Sequence, residues 1–200
     1  SGVPNVDVLY YGSGSAVKLR ATAGGAVTDL AYPGGTVNDI VLDRNDYRRV
    51  FVASSATVYH STDSGRTWTN ITGDLTGVGT LHTIEFFRLN GSDCIAVGTD
   101  IGVYCSFVTS LGTWQRLGSG FPNAYVADMK YSEADSMLVV GTLGRSCFKL
   151  PIHNGPLTFF TIDLAANPVT EGAAFLTATL TATPAPVSDL TVTLSSGDVT

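Results

Sequence analysis

Residues 61–68 read Ser61-Thr62-Asp63-Ser64-Gly65-Arg66-Thr67-Trp68, and this octapeptide predicts a tight polar turn that leads into a strand. The carboxylate of Asp63 can accept hydrogen bonds from backbone N–H groups inside such a turn, and Gly65 can adopt a positive φ. The large ring of Trp68 is expected to pack against the sheet. These roles are structural, so we do not expect Asp63 to act as a catalytic acid.

A short apolar unit that ends in a small residue recurs along the chain. Its copies are Leu9-Tyr10-Tyr11-Gly12, Val50-Phe51-Val52-Ala53, Ile95-Ala96-Val97-Gly98 and Leu138-Val139-Val140-Gly141. The last residues of successive copies are 41, 45 and 43 positions apart, which is the repeat length of a four-stranded propeller blade. The sequence therefore predicts a series of β-propeller blades.

Further strands are predicted around each copy. Every copy is followed by a turn and a second strand, so each pair indicates a hairpin. Innermost strands are predicted at 37–42, 81–87 and 125–131. Outer strands are predicted at 26–31, 67–71 and 113–117. Because the first blade lacks an inner strand and the last lacks an outer one, residues 1–150 are expected to form about four antiparallel blades of a partial ring.

The pattern of apolar and polar residues changes after the last blade. Residues 151–156 contain two prolines and a glycine, so they are predicted to form a linker. From residue 157 to residue 200, apolar residues alternate with threonine and serine, with strands predicted at 157–162, 175–181 and 190–196. Alternation of this kind is typical of a β-sandwich. The chain is therefore predicted to be all-β, with a partial propeller followed by the beginning of a sandwich.

The turn at 61–68 matches the Asp-box pattern S-x-D-x-G-x-T-W at every defined position. Those positions are Ser61, Asp63, Gly65, Thr67 and Trp68. The turn at 110–114 keeps the glycine and the tryptophan of this pattern but loses the aspartate and one residue of spacing. Residues 3–150 thus resemble the Asp-box, or BNR, β-propellers of the sialidase-like superfamily. Because that superfamily includes sialidases, xyloglucan-cleaving glycosidases, sortilin-type receptors and photosystem-assembly factors, the resemblance implies the fold and no single function.

A second resemblance covers the C-terminal segment. The run Val169-Thr170-Glu171-Gly172, followed by two alternating strands, is similar to the start of a Calx-β domain. In calcium-binding members of that family the glutamate of the Glu-Gly pair is a ligand, so the resemblance implies that Glu171 is a candidate calcium ligand. Calcium requires six to eight oxygen ligands, and no other cofactor is expected.

Composition and charge narrow the class of protein. Of 200 residues, 44% are hydrophobic and only 14% are charged, which is typical of a chain of strands and turns. The net charge of -6 argues against a nucleic-acid partner, because such a partner needs a clustered basic surface. No apolar run approaches the roughly 20 residues that span a bilayer. The chain is therefore not expected to be embedded in a membrane.

Two kinds of catalytic site are relevant to this fold. The sialidase resemblance would imply an arginine triad and an early Arg-Ile-Pro, but the chain has no Arg-Ile-Pro and its arginines show no common blade position. A xyloglucanase-like glycosidase needs two facing carboxylates, for which Asp39, Glu85 and Asp128 are the candidates. All three are predicted on inner strands, at a similar place in their blades, where they can instead line a wet channel or bind neighbouring backbone.

These observations favour binding over catalysis. A propeller linked to a Calx-β-like domain indicates a larger modular protein, secreted or at the cell surface. In this interpretation the propeller face binds a ligand, and the chain serves in adhesion or scaffolding. The ligand is a polysaccharide or other glycan, or a protein at the cell surface. The alternative is a fragment of a polysaccharide-active glycoside hydrolase of the xyloglucanase-like type.

Overall fold

The structure is a computed structural model that describes residues 7–118 and 120–152 and the backbone of 159–164 and 178–183. The chain divides into two compact units, residues 1–154 and residues 155–200. Among the described residues the helical content is a single 3₁₀ turn, Val108–Ser110. None of it is long and apolar enough to cross a membrane.

Four antiparallel sheets follow one another in the first unit, and we number them as blades 1 to 4. Blade 1 contains β1 (Leu9–Ser13), β2 (Ala16–Arg20) and β3 (Val27–Leu30). Blade 2 contains β4 (Val37–Leu42), β5 (Val50–Ser54), β6 (Val58–Ser61) and β7 (Thr69–Asn70). Blade 3 contains β8 (Leu81–Leu89), β9 (Ser92–Thr99), β10 (Gly102–Phe107) and β11 (Gln115–Arg116). Blade 4 contains β12 (Val126–Ser132), β13 (Met137–Thr142) and β14 (Cys147–Pro151).

The strands of each blade pair in chain order. Blades 2 and 3 have four strands each, whereas the described residues provide only three for blades 1 and 4. Among those residues, blade 1 has no counterpart of the inner strand β4, and blade 4 has no counterpart of the outer strand β7. The predicted all-β fold, a partial propeller of about four blades with an incomplete first and last blade, is confirmed.

Successive blades pack face to face, which explains the continuous apolar runs of the repeat. In β5, Val50 and Val52 face blade 1, while Phe51 and Ala53 face blade 3, and all four side chains are completely buried. A strand that is buried on both faces reads as an unbroken apolar run. In blade 1, Leu9 occupies the place of Val50 but is 46% exposed, because among the described residues no blade packs against that face.

The second unit is described only as a pair of strands. β15 (Phe159–Leu164) and β16 (Ala178–Thr183) are antiparallel, with Phe159 opposite Thr183. These strands lie within two or three residues of two predicted sandwich strands. The predicted strand at 190–196, the candidate ligand Glu171 and residues 153–156 of the predicted linker lie outside the described residues, so the sandwich, the calcium site and the linker stay predictions.

Candidate functional site

The inner strands of blades 2, 3 and 4 share one irregularity close to where they begin. A β-bulge shifts the register between Val37 and Asp39, between Leu81 and Thr83, and between Val126 and Asp128. After each bulge, Asp39, Thr83 and Asp128 lie opposite the small residue that ends the repeat, namely Ala53, Gly98 and Gly141. The three bulges therefore bring Asp39, Thr83 and Asp128 to equivalent positions. We call this end of the blades the entry face.

Thr83 connects the two aspartates. Its hydroxyl oxygen lies 2.8 Å from Oδ2 of Asp39 and 3.5 Å from Oδ1 of Asp128, so it donates mainly to Asp39. Because both oxygens approach one hydroxyl, they are no more than about 6 Å apart, whereas glycosidase carboxylate pairs lie roughly 5–10 Å apart. The structure thus brings together two of the three predicted carboxylates.

Asp39 also fastens blade 2 to blade 3. Its Oδ2 accepts a hydrogen bond from the backbone N–H of Ile84 at 2.9 Å, and its Oδ1 accepts one from Ile40 at 2.8 Å. With the Thr83 hydroxyl, three donors therefore surround this carboxylate. Asp128 is engaged mainly through one oxygen, since the N–H of Met129 at 2.8 Å and the hydroxyl of Thr83 both approach Oδ1.

The prediction that Glu85 occupies a similar place in its blade is wrong. Glu85 lies opposite Ala96, two residues beyond Thr83, and Thr83 is the residue that occupies the aspartates' position in blade 3. Its side chain is buried and pairs with Lys130 of blade 4 at 3.4 Å. Burial raises the pKa of Glu85, opposed by Lys130. Glu85 is therefore an interblade ion-pair residue, separate from the two aspartates.

A second polar cluster on the entry face was not predicted from the sequence. Nε2 of His82 lies 2.7 Å from Oδ1 of Asp100, and Nδ1 lies 3.2 Å from the hydroxyl of Tyr125. The rings of His82 and Tyr125 are 4.0 Å apart between centroids, and Tyr125 is 37% exposed. The backbone N–H of Thr80, together with His82, lowers the pKa of Asp100. The entry face thus carries an exposed aromatic ring above a fixed histidine and carboxylate.

The Asp-box turn lies away from the entry face. The backbone N–H of Ser64 bonds to the carbonyl of Arg48 in the β4–β5 loop at 3.0 Å, which places the turn at the opposite end of blade 2. There Oδ1 of Asp63 accepts the N–H groups of Arg66 at 3.0 Å and Thr67 at 2.9 Å. Two hydroxyls also donate to this carboxylate, with Ser61 at 2.8 Å from Oδ1 and Thr67 at 2.7 Å from Oδ2. These donors to Asp63 all come from its own turn.

The other Asp-box residues pack against the preceding blade. Gly65 has φ +78, and a Cβ there would overlap the side chain of Leu30 in blade 1. Trp68 is half-buried and makes an edge-to-face contact with Tyr32, with centroids 5.3 Å apart. In the degenerate turn of blade 3, Trp114 is buried, and its indole N–H bonds to the carbonyl of Ile71 in blade 2 at 3.1 Å. Both turns therefore join neighbouring blades.

Asp63→Asn is expected to remove part of the acid sensitivity of the first unit. The N–H groups and hydroxyls around Asp63 lower its pKa to about 2, from an ordinary 3.8. Because the folded pKa is depressed, this group stabilises the fold above about pH 4 and loses that effect as the pH falls towards 2. The stability gap between wild type and variant, followed by chemical denaturation from pH 6 to pH 2, should shrink over this window. A pH-independent gap would contradict the assignment.

A cavity lies at the other end of the inner strands. Its volume is 330 Å³, and Arg44, Arg88, Tyr131 and Glu133 are among its lining residues. Arg44 and Arg88 occupy equivalent positions beyond the bulges of β4 and β8, which corrects the expectation that the arginines share no blade position. Arg44 pairs with Glu133 at 2.9 Å and Arg88 with Asp93 at 3.5 Å. Both guanidinium groups therefore already have a carboxylate partner within the protein.

Metal ligation finds no support in the part of the chain that the structure describes. Within residues 7–118 and 120–152 and the two strands of the second unit, no group of three or more His, Cys, Asp or Glu side chains could hold a metal ion. The candidate ligand Glu171 is not among those residues, so calcium binding there stays a prediction.

Comparison with known proteins supports the fold. No protein-family model and no curated protein matches the chain. Among solved structures, the chain is similar to one in a crystal structure of a nidogen/laminin complex, with a TM-score of 0.58, 17% identity and coverage of 74% of this chain and 58% of that one. It is also similar to YCF48 bound to a D1 peptide, with a TM-score of 0.51, 15% identity and coverage of 74% and 50%. This chain thus spans 58% and 50% of the lengths of these two β-propeller chains.

Proposed function

We propose that this chain is a non-catalytic binding or scaffolding module of a larger secreted or cell-surface protein, and that its entry face binds a segment of a partner protein. The two propeller neighbours are both described with a protein or peptide partner, which supports binding as the role of this fold. The entry face combines an aromatic ring, a histidine and carboxylates on rigid strands, and such a surface suits peptide recognition.

The cluster of His82, Asp100 and Tyr125 is the observation that carries this proposal. The Tyr125 ring is exposed but held in place, since its hydroxyl and its ring face both contact His82. An aromatic side chain that is already ordered loses little entropy when a ligand covers it. Exposed tyrosines of this kind are frequent hot spots of protein interfaces.

A glycoside hydrolase is the second candidate, and the approach of Asp39 and Asp128 through Thr83 favours it. Catalysis would require one of these carboxylates to transfer a proton or attack the sugar. Asp39 is surrounded by three donors, and two of them, Thr83 and Ile84, fasten blade 2 to blade 3. Because that arrangement occupies the carboxylate with structural contacts, binding is the better-supported function.

One screen of the full chain against arrays of peptides and glycans, and against a polysaccharide hydrolysis panel, tests both candidates. We expect a peptide ligand whose affinity falls at least tenfold, about 1.4 kcal/mol, in Tyr125→Ala. Val27→Ala changes an exposed side chain of blade 1 and should leave the affinity unchanged. Hydrolysis that Asp39→Asn and Asp128→Asn both abolish would replace this proposal by the glycosidase, and glycan binding without hydrolysis would reassign the ligand.

A further inference from the structure

An apolar cavity lies in the outer part of the interface between blades 3 and 4. Its volume is 160 Å³, close to the roughly 150 Å³ at which an apolar cavity accepts a benzene-sized ring. None of the residues of the entry-face cluster line this cavity. Its walls include Val103, Leu117 and Phe121 on the side of blade 3 and Val140, Phe148 and Leu150 in blade 4.

The corresponding place between blades 2 and 3 is filled by a tryptophan. The backbone N–H of Leu117 bonds to Val103 at 2.9 Å, as that of Ile71 bonds to Val58 at 2.9 Å, so Leu117 and Ile71 occupy equivalent positions. Trp114 packs in the cluster of Ile71 and Val58, and its indole N–H bonds to the Ile71 carbonyl. The cavity between blades 3 and 4 therefore lies at the place that Trp114 fills between blades 2 and 3. Blade 4 has no described fourth strand to provide such a tryptophan.

The edge of blade 4 is open for such a strand among the described residues. Ser146 accepts the N–H of Thr142 at 3.1 Å and Ile152 donates to Ser136 at 2.8 Å, so the even-numbered residues of β14 bond to β13. In an antiparallel pair the intervening residues direct N–H and C=O to the other side. Cys147 and Lys149 therefore present their backbone groups at the edge.

Register places an incoming aromatic residue over the cavity. In blade 3, Cys105 pairs with Gln115, so Trp114 follows in register opposite Ser106. Ser106 lies three residues beyond Val103, which pairs with the small residue that ends the repeat. Leu150 lies equally far beyond Cys147, which pairs with the small residue of blade 4, so Leu150 corresponds to Ser106. Because Leu150 lines the cavity, an added strand would direct its tryptophan there.

Charge and composition indicate the origin of the strand. Residues 136–152 contain Arg145 and Lys149 but no acidic residue, in a chain of net charge -6. This basic edge complements an acidic segment. The chain has only two tryptophans, and both pack at blade interfaces. A second copy of these 200 residues would have to disrupt one of its own blade interfaces to insert either tryptophan, which favours a segment of other sequence.

We propose that the open edge of β14 binds an extended, acidic segment of a partner protein, which adds as the fourth strand of blade 4 and inserts a tryptophan between Leu117 and Phe148. Backbone pairing provides affinity and the side-chain pocket provides specificity, as in other cases of strand addition. This site goes beyond the proposed function, because it lies away from the entry face and does not depend on it.

Synthetic peptides test the proposal on the full chain. The probe has the sequence of residues 61–72, which include the outer strand β7 and its tryptophan, with Arg66 replaced by glutamate so that the peptide is acidic. A second peptide also replaces Trp68 by alanine. Titration calorimetry should show binding of the first peptide and at least tenfold weaker binding of the second. Equal affinity for both, or no binding of the first, would overturn the proposal.

Two variants of Lys149 distinguish backbone pairing of the peptide at the β14 edge from contacts made by the Lys149 side chain. Lys149→Pro removes the N–H that faces the edge while leaving the bonds to β13 intact, and proline is tolerated on edge strands. It should abolish peptide binding, whereas Lys149→Gln keeps the N–H and should retain it within about threefold. Val140→Phe, which fills the cavity, should also weaken binding at least tenfold.

Two further results distinguish binding at the β14 edge from binding at the entry face and from self-association. Tyr125→Ala should bind the peptide normally, and a loss of binding would assign the peptide to the entry face instead. Sedimentation should show that the chain remains a monomer at the concentrations used. A dimer that the peptide fails to dissociate, or normal binding by Lys149→Pro, would contradict the proposal.

Discussion

Gly73→Ala is expected to lower the free energy of unfolding of the first unit by about 2–5 kcal/mol. Gly73 has φ +50, and a Cβ there would overlap the backbone carbonyl of Gly112 in the next blade. Left-handed backbone costs a non-glycine residue about 1–2 kcal/mol, and overpacking adds about 1–3 kcal/mol. The backbone N–H of Asp74 bonds to the same carbonyl at 3.1 Å. Moving Gly112 away would therefore also disturb the contact between blades 2 and 3.

Gly77→Ala is the matched control for this prediction. Gly77 belongs to the same loop and has φ +70, but nothing lies within 4 Å of a Cβ at that position. The variant should show only the backbone cost, about 1–2 kcal/mol. Urea denaturation of both variants measures the difference. Equal losses would show that the close approach of Gly73 to Gly112 is unimportant.

Trp114→Ala should destabilise the first unit by about 3–5 kcal/mol, the usual cost of removing a buried aromatic side chain. Trp114 is 9% exposed, lies in the apolar cluster between blades 2 and 3, and donates its indole N–H to Ile71. For a chain of this size the melting temperature should fall by about 10 °C. Differential scanning calorimetry measures this change.

Trp68→Ala provides the comparison from the intact Asp-box. Trp68 is only half-buried, and its indole nitrogen has no hydrogen-bond partner among the described residues. Its loss should therefore cost less, about 1–3 kcal/mol. If Trp68→Ala were the more damaging of the two, the intact motif would contribute more to stability than its contacts indicate. The tryptophan of the complete Asp-box is thus expected to contribute less to stability than the tryptophan of the degenerate turn.

The blades could be predicted from the sequence because their signal is local and repeated. The apolar unit that contains Val50 and Val52 is buried on both faces, and its recurrence every 41 to 45 residues identifies successive blades without any knowledge of their contacts. The inner strand β4 was predicted with the bounds that the structure has, Val37–Leu42. Stacking of near-identical sheets explains why a short pattern was sufficient.

The entry face could be predicted only in part. Asp39 and Asp128 were identified as inner-strand carboxylates. The bulges that align them with Thr83 could not be recognised from the sequence of apolar and polar residues. One bulge changes which residue faces a given direction. Glu85 was assigned to the aspartates' position because it is the acidic residue of β8, whereas Thr83 occupies that position.

The histidine cluster was inaccessible to sequence reasoning for a different reason. His82, Asp100 and Tyr125 come from an inner strand, a hairpin turn and the segment that leads into the next blade. Nothing in their spacing indicates proximity, because His82 meets Asp100 through the register of β8 and β9 and meets Tyr125 through the stacking of blades 3 and 4. Such a site becomes visible only when the register of both blades is known.

The burial difference between Leu9 and Val50 also implies an order of unfolding. Blades 2 and 3 each have a partner on both faces, whereas blades 1 and 4 each have one among the described residues. In a stack held together by nearest-neighbour contacts, the terminal units open at lower free energy than the central ones. The amide protons of β5 and β9 should therefore exchange with solvent more slowly than those of β1, giving the unit a protected centre and fraying ends.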